Sequence, residues 1–269
     1  MADPLELLRS NFSSESEFIR AIESGRKSAE YLASKHDLAL GDYLPGASTS
    51  LVISAGENHV IKVVLLGEEA DSGTRFLTLA QGHGVIAIED QQDGAILMPR
   101  IRPGTDISSL PTEEAITVFC SHANRFREIG NFDGLAEAHS FFSDEELRNP
   151  FLTKMLDTTK EVCAVHGDLH HYNILFDGRE TVVIDPKGLV ADPCMEAAAI
   201  LRNPIPQPTD IDLGQAIEQI AIQCELDPNR IWGWARAITE LCAIGSGPLV
   251  SDFALACDRI SGLSNRFWV

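Results

Sequence analysis

No C-x-x-C pair occurs in the sequence. Its six cysteines (Cys120, Cys163, Cys194, Cys224, Cys242, Cys257) are scattered over 269 residues. That spacing excludes a zinc knuckle or redox dithiol and leaves buried free thiols in a reducing compartment. No apolar run approaches the roughly 20 residues of a membrane span. Met1 to Glu17 is polar and acidic rather than a targeting leader, so a soluble, cytoplasmic protein is expected. Basic residues are scarce as well, 21 Lys and Arg against 40 Asp and Glu, for a net charge of −19. A surface of that sign repels nucleic-acid backbones and anionic membranes and attracts small cations, although acidity that only keeps a protein soluble gives the same balance. There is no low-complexity tract, no repeat with a period of roughly 20–50 residues and no G-x-G-x-x-G. The remaining composition, 44% hydrophobic and 23% charged, suits a globular chain long enough for one large domain or two lobes. Two lobes are expected.

Ser14-Glu15-Ser16-Glu17 is a capping box. Phe18, Ile19, Ile22, Ala29 and Leu32 then recur at helical spacing, interrupted near Ser24-Gly25, and predict one or two helices over 15–36. Leu51-Val52-Ile53 and His59 to Val64 flank the turn Gly56-Glu57-Asn58 and read as a hairpin. A short helix is expected around Glu69 to Gln81, followed by two β-rich runs around Asp93-Gly94. Pro103-Gly104 breaks the chain, and beyond it long helical patterns dominate. Thr112 is a candidate cap for a helix over 112–126, and Pro150 must bend or divide the run 143–160. The expected organisation is α+β, with a β-rich N-lobe (1–101) and a mainly helical C-lobe (102–269).

The densest chemistry lies in "VHGDLHHYNILFDGRETVVIDPKG", residues 165–188. A short strand ends in His166-Gly167-Asp168. A second hairpin, turning at Asp177-Gly178, delivers Asp185 at the end of its return strand. Asp168, Asn173 and Asp185 can thus converge. Phosphoryl transfer needs this set, a carboxylate to orient the attacking hydroxyl and oxygen ligands for Mg²⁺. "HGDLHHYN" stands where protein kinases carry H-R-D-L-x-x-x-N, and "IDP" where they carry D-F-G.

At these residues, and in "VVIDPKGLVADP" followed by "LRNP", the chain resembles the aminoglycoside phosphotransferase superfamily, within it the streptomycin 6-kinase and hydroxyurea phosphotransferase branch. The resemblance is dense over 165–204. It implies a bilobal protein-kinase-like fold, ATP and Mg²⁺, with Asp168 as catalytic base, Asn173 and Asp185 as metal ligands, and Lys187 reaching the phosphates. Lys62 in "HVIKVV" is then the strand lysine for the α and β phosphates. Ser48, Thr49 and Ser50 cover the phosphates, and Met98 to Arg100 in "AILMPRIRPG" form the adenine hinge. Two positions depart from the family pattern. Pro99 offers no NH, so the Arg100 NH or the Met98 carbonyl must serve the adenine. Gly73 stands where a glutamate pairing with the strand lysine is expected, so Glu69 or Glu68 must substitute.

The acceptor implied is a small hydroxylated cation, streptomycin first, with hydroxyurea or another metabolite as alternatives. His171, Asp192, Glu196 and Trp232 are candidate substrate contacts. Two further readings stay open. One is a zinc metallohydrolase built on His166, Asp168, His170 and His171; the other is a nucleotide-binding pseudokinase without chemistry.

Overall fold

The computed structural model describes residues 3–45, 49–66, 70–205, 207–208, 211–244 and 250–268. The chain divides into two compact units, Met1–Ala70 with Ile86–Arg102, and Asp71–Val85 with Pro103–Val269.

The first unit holds α1 (Glu6–Arg9), α2 (Glu15–Lys35), β1 (Leu40–Tyr43), β2 (Ser50–Ala55), β3 (His59–Val64), β4 (Asp90–Gln92) and β5 (Ala95–Pro99). Ser14 caps α2, its Oγ accepting from the Glu17 NH at 3.3 Å. The helix is continuous through Gly25. That glycine marks a close approach rather than an interruption, since a Cβ there would lie 2.7 Å from Cδ2 of Leu65. The strands form one antiparallel sheet in the order β1-β2-β3-β5-β4. Phe18, Ala29 and Leu32 of α2 join Leu51, Ile53, Ile61 and Leu97 of the strands in its core. Lys62 lies mid-strand between Val52 and Ile96.

The second unit begins in α3 (Ala70–Leu79) and continues through β6 (Thr105–Asp106), α4 (Thr112–Arg127), β7 (Ala136–Glu137), α5 (Ala138–Phe141), α6 (Pro150–Asp157), β8 (Cys163–Val165), β9 (Ile174–Phe176), β10 (Thr181–Val183) and β11 (Leu189–Ala191). The helices α7 (Ala197–Arg202), α8 (Leu213–Cys224), α9 (Pro228–Ile244) and α10 (Val250–Ser261) complete it. From Asp71 on, α3 groups with this unit and not with the β-rich lobe in which its sequence position places it. Phe76 explains why: its ring meets Phe126 edge-on at 5.1 Å and His166 at 6.0 Å. Pro150 divides its run as expected, serving as the first residue of α6, with Asn149 accepting from the NH groups of Phe151 and Leu152. Thr112 is the first residue of α4 rather than its cap; Pro111 occupies the cap position, and no side chain bonds there.

Two three-stranded sheets, β10-β9-β6 and β7-β11-β8, carry the conspicuous motif. The β9–β10 hairpin pairs Ile174 with Val183 and Phe176 with Thr181. Its turn closes with Asp177 accepting from the NH groups of Arg179 and Glu180.

Candidate active site

Strand β8 runs into His166, Gly167 and Asp168, and the buried ring of His166 organises the loop that leaves the strand. Its Nε2 donates to the Ile184 carbonyl at 2.8 Å, and its Nδ1 accepts from the Asp168 NH at 3.2 Å. The first bond ties the loop to the end of the β9–β10 hairpin. Burial lowers the His166 pKa to about 4, so the ring is neutral and this donor–acceptor split is fixed. Beneath the loop lies Glu196, only 4% exposed. It accepts from the His166 NH at 2.5 Å, the Gly167 NH at 3.0 Å and also the Leu169 NH. Burial raises its pKa to about 7 against the pull of those three donors.

Asp168 sits above this support, its side chain 24% exposed. Its Oδ1 accepts from Nη2 of Arg202 at 2.7 Å, and its Oδ2 lies 3.8 Å from Nε2 of His170. Burial pushes its pKa up, but Arg202 first, then His170, Lys187 and His166, bring it below the ordinary carboxylate value. Nδ2 of Asn173 donates to the Asp168 carbonyl at 2.9 Å, which turns Oδ1 of the amide the other way. Asp185 is exposed and has φ of +60°, a left-handed conformation uncommon for a residue with a Cβ and characteristic of functional positions. The Lys187 NH donates to the His166 carbonyl at 2.8 Å. The loop, the hairpin end and the 185–188 segment are therefore one hydrogen-bonded assembly.

The model of the family "Aminoglycoside/hydroxyurea antibiotic resistance kinase" matches residues 148–246, which contain this assembly. The streptomycin 3''-kinase of Klebsiella pneumoniae is 28% identical over 234 residues, 77% of this chain and 88% of that one. The chain is similar to kinases of this kind. Both names are those of kinases, enzymes that transfer a phosphoryl group. Among solved structures, choline kinase LicA from Streptococcus pneumoniae superposes with a TM-score of 0.64 at 12% identity, over 87% of this chain and 99% of that one. The streptomycin–ATP–APH(2")-IIa ternary complex gives 0.57 at 15% identity, over 87% and 95%. The fold is the α+β protein-kinase-like one.

Against that phosphotransferase background, several positions singled out from the sequence need correction. The Arg100 NH donates to the Asn58 carbonyl at 2.7 Å and continues the β3–β5 ladder, so it is not a donor for adenine. Met98 is buried on β5 opposite Val60. The Thr49 carbonyl accepts from the NH groups of Leu65 and Leu66, and Ser50 is buried at the start of β2. Ser48, Glu68 and Glu69 lie outside the described residues. Gly73 has a steric reason: a Cβ there would stand 2.4 Å from the Pro186 carbonyl oxygen. Main chain of α3 thus rests on main chain next to Asp185, and no glutamate fits. Gly73→Ala should cost about 1–3 kcal/mol through overpacking. A urea midpoint equal to that of the wild type would show that the helix can shift away.

The four substrate candidates are not surface groups. Asp192, 3% exposed, accepts from the Cys194 NH at 2.9 Å, capping the turn Pro193–Glu196, and pairs with Arg230. Trp232 is buried, its Nε1 donating to the Ile260 carbonyl at 2.8 Å, with Phe151 edge-on at 5.9 Å. His171 is buried in the loop, and burial and neighbouring His170 lower its pKa to about 4. Glu196 is committed to the backbone NH groups of the loop above it. Sequence reasoning missed Arg202 as the partner of Asp168, although it lies inside the "LRNP" motif.

The histidine-rich stretch does not assemble as a zinc site. Both nitrogens of His166 are engaged, by the Ile184 carbonyl and the Asp168 NH, and Nδ1 of His170 accepts from the Tyr172 NH. Among the described residues, no group of three or more His, Cys, Asp or Glu could hold a metal ion. No helix among them is long and apolar enough to cross a membrane.

Proposed function

We propose that this protein is an ATP- and Mg²⁺-dependent O-phosphotransferase for a small hydroxylated cation, with an aminoglycoside such as streptomycin as the first acceptor to test. The observation that carries the reading is the joined loop: Asp168, Asn173 and Asp185 sit on segments tied together by His166, with Asp168 held ionised. Asp168 accepts a hydrogen bond from the acceptor hydroxyl, orients it for in-line attack and takes its proton as the new P–O bond forms and the bond from the γ-phosphorus to the bridging oxygen breaks, ADP leaving with that oxygen. Asn173 and Asp185 present hard oxygens, the donor type Mg²⁺ selects; the bound ion supplies charge neutralisation at the phosphates. Lys187 adds positive charge for the phosphate chain. The net charge of −19 favours cationic acceptors, as do the streptomycin 3''-kinase relative and the streptomycin-bound neighbour. Hydroxyurea remains an alternative, in keeping with the matched family's description.

The acceptor is tested by ADP release across a panel of aminoglycosides, hydroxyurea and choline. Stimulation by streptomycin or another aminoglycoside is expected, and stimulation by none of the cationic alcohols would refute the acceptor class. The metal assignment is tested with Asp185→Asn. Asparagine tolerates the left-handed backbone, so stability should stay within about 0.5 kcal/mol. Turnover should fall by about 10²-fold or more, with a higher Mg²⁺ concentration at half-maximal rate. An unchanged Mg²⁺ titration would remove Asp185 from the metal site.

A further inference from the structure

Arg202 is a largely buried charge with an unusual placement. Its side chain is only 11% exposed, its Nη2 bonds Oδ1 of Asp168 at 2.7 Å, and its Nε is buried without a hydrogen-bond partner. A guanidinium that served only packing would not be kept where one of its donors goes unmet. The backbone that carries it is well packed. Ala197 to Leu201 of α7 are all buried, and Nδ2 of Asn203 donates to the Ala199 carbonyl at 2.9 Å, closing the helix end. The residue before α7 is Glu196, which holds the NH groups of His166 and Gly167. One short helix, about 9 Å long, therefore grips the loop twice: a carboxylate at its N-terminal end holds the loop backbone, and a guanidinium at its C-terminal end holds the Asp168 side chain.

We propose that Arg202 is a positioning residue for phosphoryl transfer, fixing the rotamer of Asp168 through Oδ1 so that Oδ2 is presented to the acceptor hydroxyl. The inference rests on the reading of Asp168 as the group that orients the acceptor. The charged and titratable groups facing Asp168 are Arg202 from α7, His166 and His170 from its own loop, Lys187 from the segment after β10, and Glu196 from below. Arg202 contributes a planar donor fork, which a lysine cannot reproduce. A carboxylate free to rotate spends less time in line with the acceptor, and a misplacement of about 1 Å can cost about 10²-fold in rate.

The test compares Arg202→Ala, Arg202→Lys and Asp168→Asn, measuring ADP release with streptomycin and with water as acceptor, alongside the melting temperature. Arg202→Ala should lose about 10–100-fold in kcat with the KM for ATP unchanged. Arg202→Lys should recover part of the loss. Millimolar guanidinium ion should partly restore kcat in Arg202→Ala and do nothing for Asp168→Asn. Wild-type kcat in Arg202→Ala beside an inactive Asp168→Asn would overturn this inference alone, as would a kcat loss that neither lysine nor guanidinium relieves. Wild-type kcat in Asp168→Asn would overturn the role of Asp168 itself, and the inference with it.

Discussion

Asp168→Asn is expected to lower phosphoryl transfer by about 10²–10⁴-fold, the range for removing a positioned general base, while ATP binding is retained. Asparagine is the informative substitution because its carbonyl oxygen can still accept from Arg202. Asp168→Ala would also leave the Arg202 guanidinium, 11% exposed, without its carboxylate. Breaking a largely buried pair in this way costs up to about 3 kcal/mol, so a loss of activity would be entangled with a loss of fold. Melting curves of both variants separate the two effects: Asp168→Asn should melt close to the wild type and Asp168→Ala several degrees lower. Substantial transfer by a well-folded Asp168→Asn would show that another group accepts the proton.

Glu196→Ala should have the largest effect on stability. Three backbone NH groups, those of His166, Gly167 and Leu169, lose their acceptor. At about 1–3 kcal/mol for each buried donor left unmet, the total is roughly 3 kcal/mol or more, a large part of the 5–15 kcal/mol typical of a domain. Transfer should fall with it, because the displaced loop carries Asp168. Glu196→Gln gives a pH signature whose sign can be worked out. Burial raises the Glu196 pKa from its ordinary 4.5 to about 7. Between those values the folded chain keeps a proton that the unfolded chain has released, so this group's contribution to stability declines as pH rises through the window and is level above it. His122, His166 and His171, each held near 4 by burial, act in the opposite sense, adding stability as pH rises from about 4 to 6.5. The Glu196 contribution is therefore read as a difference. The stability of Glu196→Gln relative to the wild type should rise between about pH 5 and pH 7, and a difference that does not change with pH would contradict the shift.

Local features were legible in the sequence. The α2 cap needs only Ser14 and Glu17, and the β9–β10 hairpin is set by short apolar runs on either side of Asp177-Gly178, so both could be read from a few neighbouring positions. The spacing of Asp168, Asn173 and Asp185 was visible for the same reason. What the sequence concealed depends on distant partners. Asp192 and Glu196 look like solvent-facing acids until Arg230, 38 residues on, and the His166 NH, 30 residues back, are placed against them. Trp232 could have stacked on a substrate; its indole instead donates to the Ile260 carbonyl. The allegiance of α3 turned on Phe76, whose neighbours Phe126 and His166 lie in other parts of the chain. Arg100 was misread because strand register, which local composition does not specify, had already committed its NH to Asn58.

The seat of α3 on the Pro186 carbonyl is made of main-chain atoms on both sides, with glycine the residue that permits it. Such a contact has no side chain to exchange for a slightly larger or smaller one, so mutation cannot adjust the spacing there in small steps. A lineage adapting this scaffold to a new substrate would find position 73 closed to gradual change, and its room to explore would lie on surfaces where residues can be swapped without moving the Asp185 turn.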